Sequence, residues 1–286
     1  MHTETTEDQV LRAMTDDGSF RVMTAITTNT VAEVVRLQNP PPSEAKMLGG
    51  LIAGTILVRE TMSPSLRVQG IVRGANSSGT LVADSHPDGT TRGLVSLREG
   101  VSSLVLGNDA TLMMMRMMPT GRPHHGVVSL KQGRDISQAL MVYMQHSEQV
   151  KSMIDVACVI HDGKVLAAGG YVVQLLPDLT ESQLAVMTER LASFPSMDEL
   201  LKSGETASRV LSELLYGMPY TQLDDSPLRF ECKCSQDQVM SSLATLGEGE
   251  LGELAQGGEP LSISCEYCQK EYTITSEEVT GLMQLN

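Results

Sequence analysis

The chain has 286 residues, with 35 acidic side chains against 21 Lys and Arg, and a formal charge of −14. So large an acidic excess argues against a phosphate-backbone binder, which needs Lys and Arg to displace counterions, and a chain with no Trp, three Phe and six Tyr lacks a base-stacking platform. At 41% hydrophobic and 20% charged residues it can bury a core, which excludes a wholly disordered chain.

The N-terminus, Met1-His2-Thr3-Glu4-Thr5-Thr6-Glu7-Asp8, is polar and acidic, unlike a secretory signal. The longest uncharged apolar run, between Lys46 and Arg59, has twelve residues, short of the roughly 20 that a membrane span needs. A cytoplasmic protein is expected, with neither membrane nor nucleic acid as partner.

Residues 10–36 mix polar and apolar side chains without a clear period, and Pro40-Pro41-Pro42 closes the segment. Ser43 is placed to cap a helix running to about Arg59, with Met47, Leu48, Leu51, Ile52 and Ile56 on one face. Gly49 and Gly50 would weaken it unless another backbone packs closely there. Short β-rich pieces follow at 66–72, 80–83, 93–97 and 110–118, separated by Asn76-Ser77-Ser78-Gly79 and Pro87-Asp88-Gly89. The last piece contains Met113-Met114-Met115-Arg116-Met117-Met118, which as a strand shows Met on both faces. It reads as a buried strand, or alternatively as an adaptable apolar surface. His124-His125 reads as a solvated loop. Asp135 is placed to cap a second helix carrying Ile136, Leu140, Tyr143 and Met144, and residues 153–160 and 164–175 read as a hairpin around His161-Asp162-Gly163. Strands and helices do not alternate regularly, so an α+β fold is expected rather than a doubly wound sheet.

Charge then changes abruptly. Residues 1–177 hold 16 acidic and 15 basic side chains, and residues 178–286 hold 19 and 6. The break suggests a domain boundary near Pro177. Residues 180–217 read as short helices, with capping-box spacings at Thr180/Gln183 and Ser196/Glu199. Leu184, Met187 and Leu191 form one apolar stripe; Val210, Leu211, Leu214 and Leu215 form another. None of these helices is long enough to be stable alone in water. They must be stabilised by docking, and so belong either to an ordinary helical subdomain or to a segment that can detach.

Five cysteines remain. Cys158 lies in the apolar run Val156-Ala157-Cys158-Val159-Ile160 and reads as a buried structural thiol, because a reactive one needs an accessible electropositive setting. The others form two close pairs, Cys232-Lys233-Cys234 and Cys265-Glu266-Tyr267-Cys268. Two such pairs across a mid-sized loop present four thiolates to one tetrahedral zinc. Four cysteines fill its coordination sphere, so the site is structural rather than hydrolytic. Between the pairs, Ser235 is placed to cap a helix with Val239, Met240, Leu243 and Leu246, ended by Gly247; a second short helix through Leu251 and Leu254 follows. So small a module depends on its metal. Oxidation would remove the thiolates and with them the metal, which makes a redox switch physically reasonable, although spacing alone does not establish one.

Phe230-Glu231-Cys232-Lys233-Cys234-Ser235, then Leu246-Gly247-Glu248-Gly249-Glu250-Leu251, then Cys265-Glu266-Tyr267-Cys268-Gln269-Lys270-Glu271-Tyr272, resembles the zinc-binding C-terminus of the heat shock protein 33 family of redox-regulated holdase chaperones. Tyr143-Met144-Gln145-His146-Ser147-Glu148-Gln149 is similar to a second family segment, with Met144 where Phe is usual, and Gly169-Gly170-Tyr171-Val172-Val173-Gln174-Leu175-Leu176-Pro177 to a third. The resemblance implies an α+β core domain (1–177), a helical linker (178–229) and a four-cysteine zinc domain (230–286). It also implies a reduced, inactive form with one zinc ion on Cys232, Cys234, Cys265 and Cys268. In the oxidised form Cys232 would be joined to Cys234 and Cys265 to Cys268, the zinc lost and the linker unfolded. A dimer would then hold unfolding client proteins without ATP. Two other readings stand beside it: an interaction protein whose zinc module never switches, and a thiol oxidoreductase using one of the cysteine pairs.

Overall fold

The computed structural model describes residues 7–118, 121–131, 135–177, 179–256 and 260–283. Residues 1–6, most of the acidic N-terminus, and residue 178 beside the charge break lie outside the described residues. The chain divides into two compact units, Met1–Glu231 and Cys232–Asn286.

In the first unit, residues 10–36 form two strands, β1 (Gln9–Thr15) and β2 (Phe20–Ile26), and a helix, α1 (Thr28–Gln38). The missing period has a physical cause: both faces of these strands are covered, so apolar side chains occupy consecutive positions. Val10, Met23 and Ala25 enter one core, whereas Leu11, Ala13, Phe20, Val22 and Ile26 enter another. The buried Asp8 carboxylate accepts from the Asn29 and Thr30 amides at 3.0 and 2.6 Å and so holds the start of α1.

Helix α2 (Pro42–Glu60) begins two residues before the expected position. Pro41 is its N-cap and Pro42 its first residue, while Ser43 donates to Glu44 instead of capping. Fifteen of its 19 residues are buried, so it is enclosed on all sides rather than amphipathic. At Gly49 the close neighbour is a side chain, not a backbone: a Cβ there would stand 2.5 Å from the Cys158 Cβ and Sγ.

The expected β-rich pieces are β3 (Arg67–Arg73), β4 (Gly79–Ser85), β5 (Thr90–Leu97) and β6 (Thr111–Met117). His124 and His125 do not lie in a loop. They sit on an exposed strand, β7 (Pro123–Ser129), which pairs with β6. That pairing is tertiary, and Pro-His-His-Gly carries little strand preference of its own. Helix α3 (Ile136–Ser147) is capped by Asp135, which accepts from the Gln138 amide at 2.8 Å. Strands β8 (Ser152–His161) and β9 (Lys164–Leu175) form the expected hairpin, with Asp162 and Gly163 both at positive φ in its two-residue turn.

Both capping boxes are present, in α4 (Glu181–Ser193) and α5 (Met197–Lys202); α6 (Ala207–Leu214) follows. Three short strands complete the unit: β10 (Tyr220–Gln222), β11 (Ser226–Pro227) and β12 (Arg229–Phe230).

The first sheet is antiparallel, in the order β10-β1-β2-β9-β8, with β11 also on β1. The second has the order β12-β5-β4-β3-β6-β7, with β12 parallel to β5. Helix α2 packs between them, against β2, β8 and β9 on one side and β3, β4 and β5 on the other. Helices α4–α6 cover the far face of the first sheet. In the second unit, α7 (Gln236–Leu243) and α8 (Glu248–Gln256) precede a hairpin, β13 (Leu261–Ser264) and β14 (Glu271–Ile274), and α9 (Ser276–Met283) closes it. Segregated sheets and helices make the fold α+β.

Candidate metal centre

Each cysteine pair is placed by its flanking elements. Cys232 and Cys234 lie between β12 and α7. Ser235 accepts from the Gln238 amide at 3.3 Å and fixes the first turn of α7 directly after Cys234. Cys265 and Cys268 lie in the turn between β13 and β14. The Cys265 amide donates to the Lys270 carbonyl at 2.9 Å, and the Gln269 amide to the Cys265 carbonyl at 2.8 Å. Gln269 takes a left-handed conformation, φ 59°, which tightens this turn.

All four Sγ atoms fall within 4.8 Å of one another. Cys232 lies 3.7 Å from Cys265, and Cys234 lies 3.4 Å from Cys268. With metal–sulfur bonds near 2.3 Å, sulfurs on a tetrahedral zinc lie about 3.8 Å apart. The four free thiols therefore have the donor type and spacing that could hold such an ion. No other group of metal-ligating His, Cys, Asp or Glu occurs among the described residues.

Electrostatics point the same way. Burial pushes the Cys234 thiol up, but hydrogen bonds from the Tyr272 hydroxyl, at 3.0 Å, and from the neighbouring thiols outweigh it and bring it to about 7. Cys268 is pushed up to about 12 by burial, opposed by the Lys270 amide and reinforced by the adjacent sulfurs. Sulfurs this close cannot all be anions unless a cation balances them. Tyr272 has a role that cysteine spacing does not reveal: it is buried, donates to Cys234, and carries the Lys270 ammonium 4.9 Å from its ring centre. Cys158 is not part of this cluster. It is 1% exposed, and burial pushes its thiol up to about 12.

The core around the metal centre is small. Among the described residues, Leu243, Leu251, Tyr272, Ile274 and Val279 form its buried apolar cluster. In the expected helix before Gly247, α7 ends at Leu243, and Leu246 packs on the cluster from beyond its end.

The helical segment occupies a different setting. Met187, Met197, Leu201, Val210, Leu211 and Leu214 are buried against Leu11, Phe20, Val22, Tyr171 and Val173 of the first sheet. Polar contacts fix the register: Thr24 donates to the Ala207 carbonyl at 2.9 Å, and Asp155 accepts from the Met197 amide at 2.7 Å. Phe194 packs edge-on to Tyr171, with ring centres 5.7 Å apart. The next segment is tied to the sheets by Arg12, which bonds Glu60, the Asp224 carbonyl at 2.6 Å and Ser226. β12 is held on β5 by the Arg229 and Glu231 amides, each 3.2 Å from its acceptor.

The sequence model of the Hsp33 protein family matches residues 8–275. The chain belongs to the Hsp33 family. A 33 kDa chaperonin of Syntrophotalea carbinolica is 31% identical, with 97% of this chain and 99% of that protein covered. One from Clostridioides difficile is 27% identical over the same shares. The crystal structure of an Hsp33 homologue from Thermotoga maritima shares the fold, with a TM-score of 0.84 at 20% identity, covering 98% of this chain and 99% of that one. Membership of a family whose members are named chaperonins supports a chaperone. Among the described residues no helix is long and apolar enough to cross a membrane.

Proposed function

We propose that this Hsp33-family chain is an ATP-independent holdase switched by oxidation and working in the cytoplasm. Its parts are a core domain (1–177), a helical linker (178–229) and a zinc domain (230–286). In the reduced form Cys232, Cys234, Cys265 and Cys268 hold one zinc ion. When bound, the ion neutralises thiolate charge and ties the two knuckles together. Under peroxide, Cys232 joins Cys234 and Cys265 joins Cys268. In forming its disulfide, each pair of cysteine thiolates gives up two electrons to one peroxide, which takes two protons and leaves as two waters. All four sulfurs lie within 4.8 Å, so the pairing rests on the family resemblance and not on proximity.

Loss of the thiolates removes the main restraint on a domain whose described residues include five buried apolar side chains. Unfolding then begins one residue beyond Glu231. The strands that hold the adjoining chain are three, two and two residues long, too short to resist alone. Helices α4–α6, of 13, 6 and 8 residues, are not stable once undocked. Their departure uncovers Leu11, Phe20, Val22, Tyr171 and Val173, an apolar face for unfolding clients. A homodimer is the expected active form.

The observation that carries this reading is the four-sulfur cluster in a domain with little other core. The experiment treats the zinc-loaded protein with peroxide under mild heating, then measures released zinc and aggregation of a thermally unfolding client. Zinc release with suppressed aggregation is expected. Zinc retained on reduced thiols would favour a constitutive structural module, and turnover of a dithiol substrate would favour an oxidoreductase.

A further inference from the structure

The methionine-rich strand β6 is not simply core. Met114 is fully buried between the sheets, and Leu112 beside it points the same way. By strand alternation Met113, Met115 and Met117 share the opposite face, and all three are half-buried rather than enclosed. On β7, Val128 is buried in the core, and a Cβ at Gly126 would meet the side chains of Ser147 and Tyr143 of α3. Both residues therefore face inward, which turns His125 and Val127 outward, onto the face of the three methionines. His125 is exposed, and Val127 is 56% exposed. The register sets His125 directly opposite Met115, and Val127 opposite Met113. Opposed residues on one face of an antiparallel pair have Cβ atoms about 5 Å apart, and diagonal neighbours lie within reach of long side chains.

We propose that Met113, Met115 and His125 form a binding site for copper(I) on the outer face of the second sheet. Thioether sulfur is a soft, neutral donor that selects copper(I) over zinc, magnesium or calcium, and imidazole suits copper as well. Met side chains are flexible enough to bring two sulfurs from positions i and i+2 toward one ion beside the imidazole. On the other flank, Ile71 of β3 stands opposite Met113, and Arg67 stands opposite Met117. The apolar Ile71 and Val127 flank Met113 and offer no oxygen donor to a hard cation. The guanidinium of Arg67, though paired with Asp84, sets a positive charge beside Met117 and turns a cation toward Met113. No thiol takes part in the site. It is independent of the four-cysteine centre and of the proposed switch.

The test uses the zinc-loaded, full-length reduced protein, carrying methyl-13C methionine. It is titrated anaerobically with the acetonitrile complex of copper(I) and followed by NMR. Assignment comes from Met113→Leu, Met115→Leu and Met117→Leu, which nearly conserve volume on a solvent-facing surface. Resonance-by-resonance reading separates this site from copper taken up by the thiolates. The expected result is saturable movement of the Met113 and Met115 methyls together with the His125 ring, with zinc(II) moving none of them. His125→Ala and Met115→Leu should each weaken the interaction at least tenfold, and Met117→Leu less than threefold. Unmoved Met113 and Met115 methyls after the thiolates are filled would overturn the proposal. Equal movement of the exposed Met14 and Met118, or binding indifferent to His125→Ala, would do the same.

Discussion

The two units of this chain solve the stability problem in opposite ways. Residues 1–231 build two apolar clusters, one around α2, which is buried between two sheets, and one under α4–α6 on the far face of the first sheet. The described residues of the second unit bury five apolar side chains and gather four thiols instead. A core of the first kind stays folded over a wide range of conditions, because its stability comes from area removed from water. A domain of the second kind is folded only while its ligand set is intact, since metal-binding free energy is folding free energy in small metal modules. On the proposed reading, conditional stability belongs to the second unit and to the helical segment docked on the first sheet, and is kept out of the two-sheet core around α2.

The largest expected effect separates them directly. Cys234→Ser, or chelation, removes a contribution on the order of 10–16 kcal/mol in small zinc modules. The second unit should lose its hydrogen-exchange protection while α2 keeps its own. Cys158→Ala should leave metal content unchanged, because that thiol packs against Gly49 and has no part in the cluster.

A smaller effect sharpens the contrast from the other side. Asp84 is fully buried, receives two hydrogen bonds from Arg67 and one from Arg92, and has His86 at 3.5 Å. Burial alone would raise its carboxyl, but the charged partners outweigh that and hold it below the ordinary 3.8. A depressed carboxylate contributes stability that is complete above its unfolded value and lost as pH falls through its folded one. The first unit should therefore lose stability as pH falls below about 4. Asp84→Asn should cost about 3–5 kcal/mol at neutral pH and flatten that acid limb, measured by denaturant unfolding at several pH values.

Next comes the seat of the helical segment. Leu214→Ala should cost about 2–5 kcal/mol locally, as should Leu51→Ala in α2. The first should raise protease cleavage within residues 181–214 in the reduced protein. The second should lower the midpoint of the whole unit. The smallest effects are at the caps: Thr180→Ala and Ser196→Ala should each cost about 1 kcal/mol, visible as faster exchange in α4 and α5.

The parts legible in the sequence were those with local causes. Thr180 with Gln183, Ser196 with Glu199, Asp135 before its helix, and Asp162-Gly163 between strands each make their own structure within a few residues. The cysteine pairs were legible because thiolate spacing is nearly a coordination rule. The parts that escaped depend on distant partners. β1 and β2 lack a period because α2 covers one face and α4–α6 the other. β7 exists because β6 offers it an edge. β10, β11 and β12 total seven residues and borrow their conformation from β1 and β5. Tyr272 lies four residues after Cys268, and only the fold of the hairpin turns its hydroxyl onto Cys234.

The most direct test takes one sample through oxidation, following zinc content and residue-resolved hydrogen exchange together. The expected result is one zinc lost per chain, with protection vanishing in residues 232–283 and 181–214 and persisting in α2. Metal lost while residues 181–214 stay protected would contradict the coupling on which the proposed switch depends.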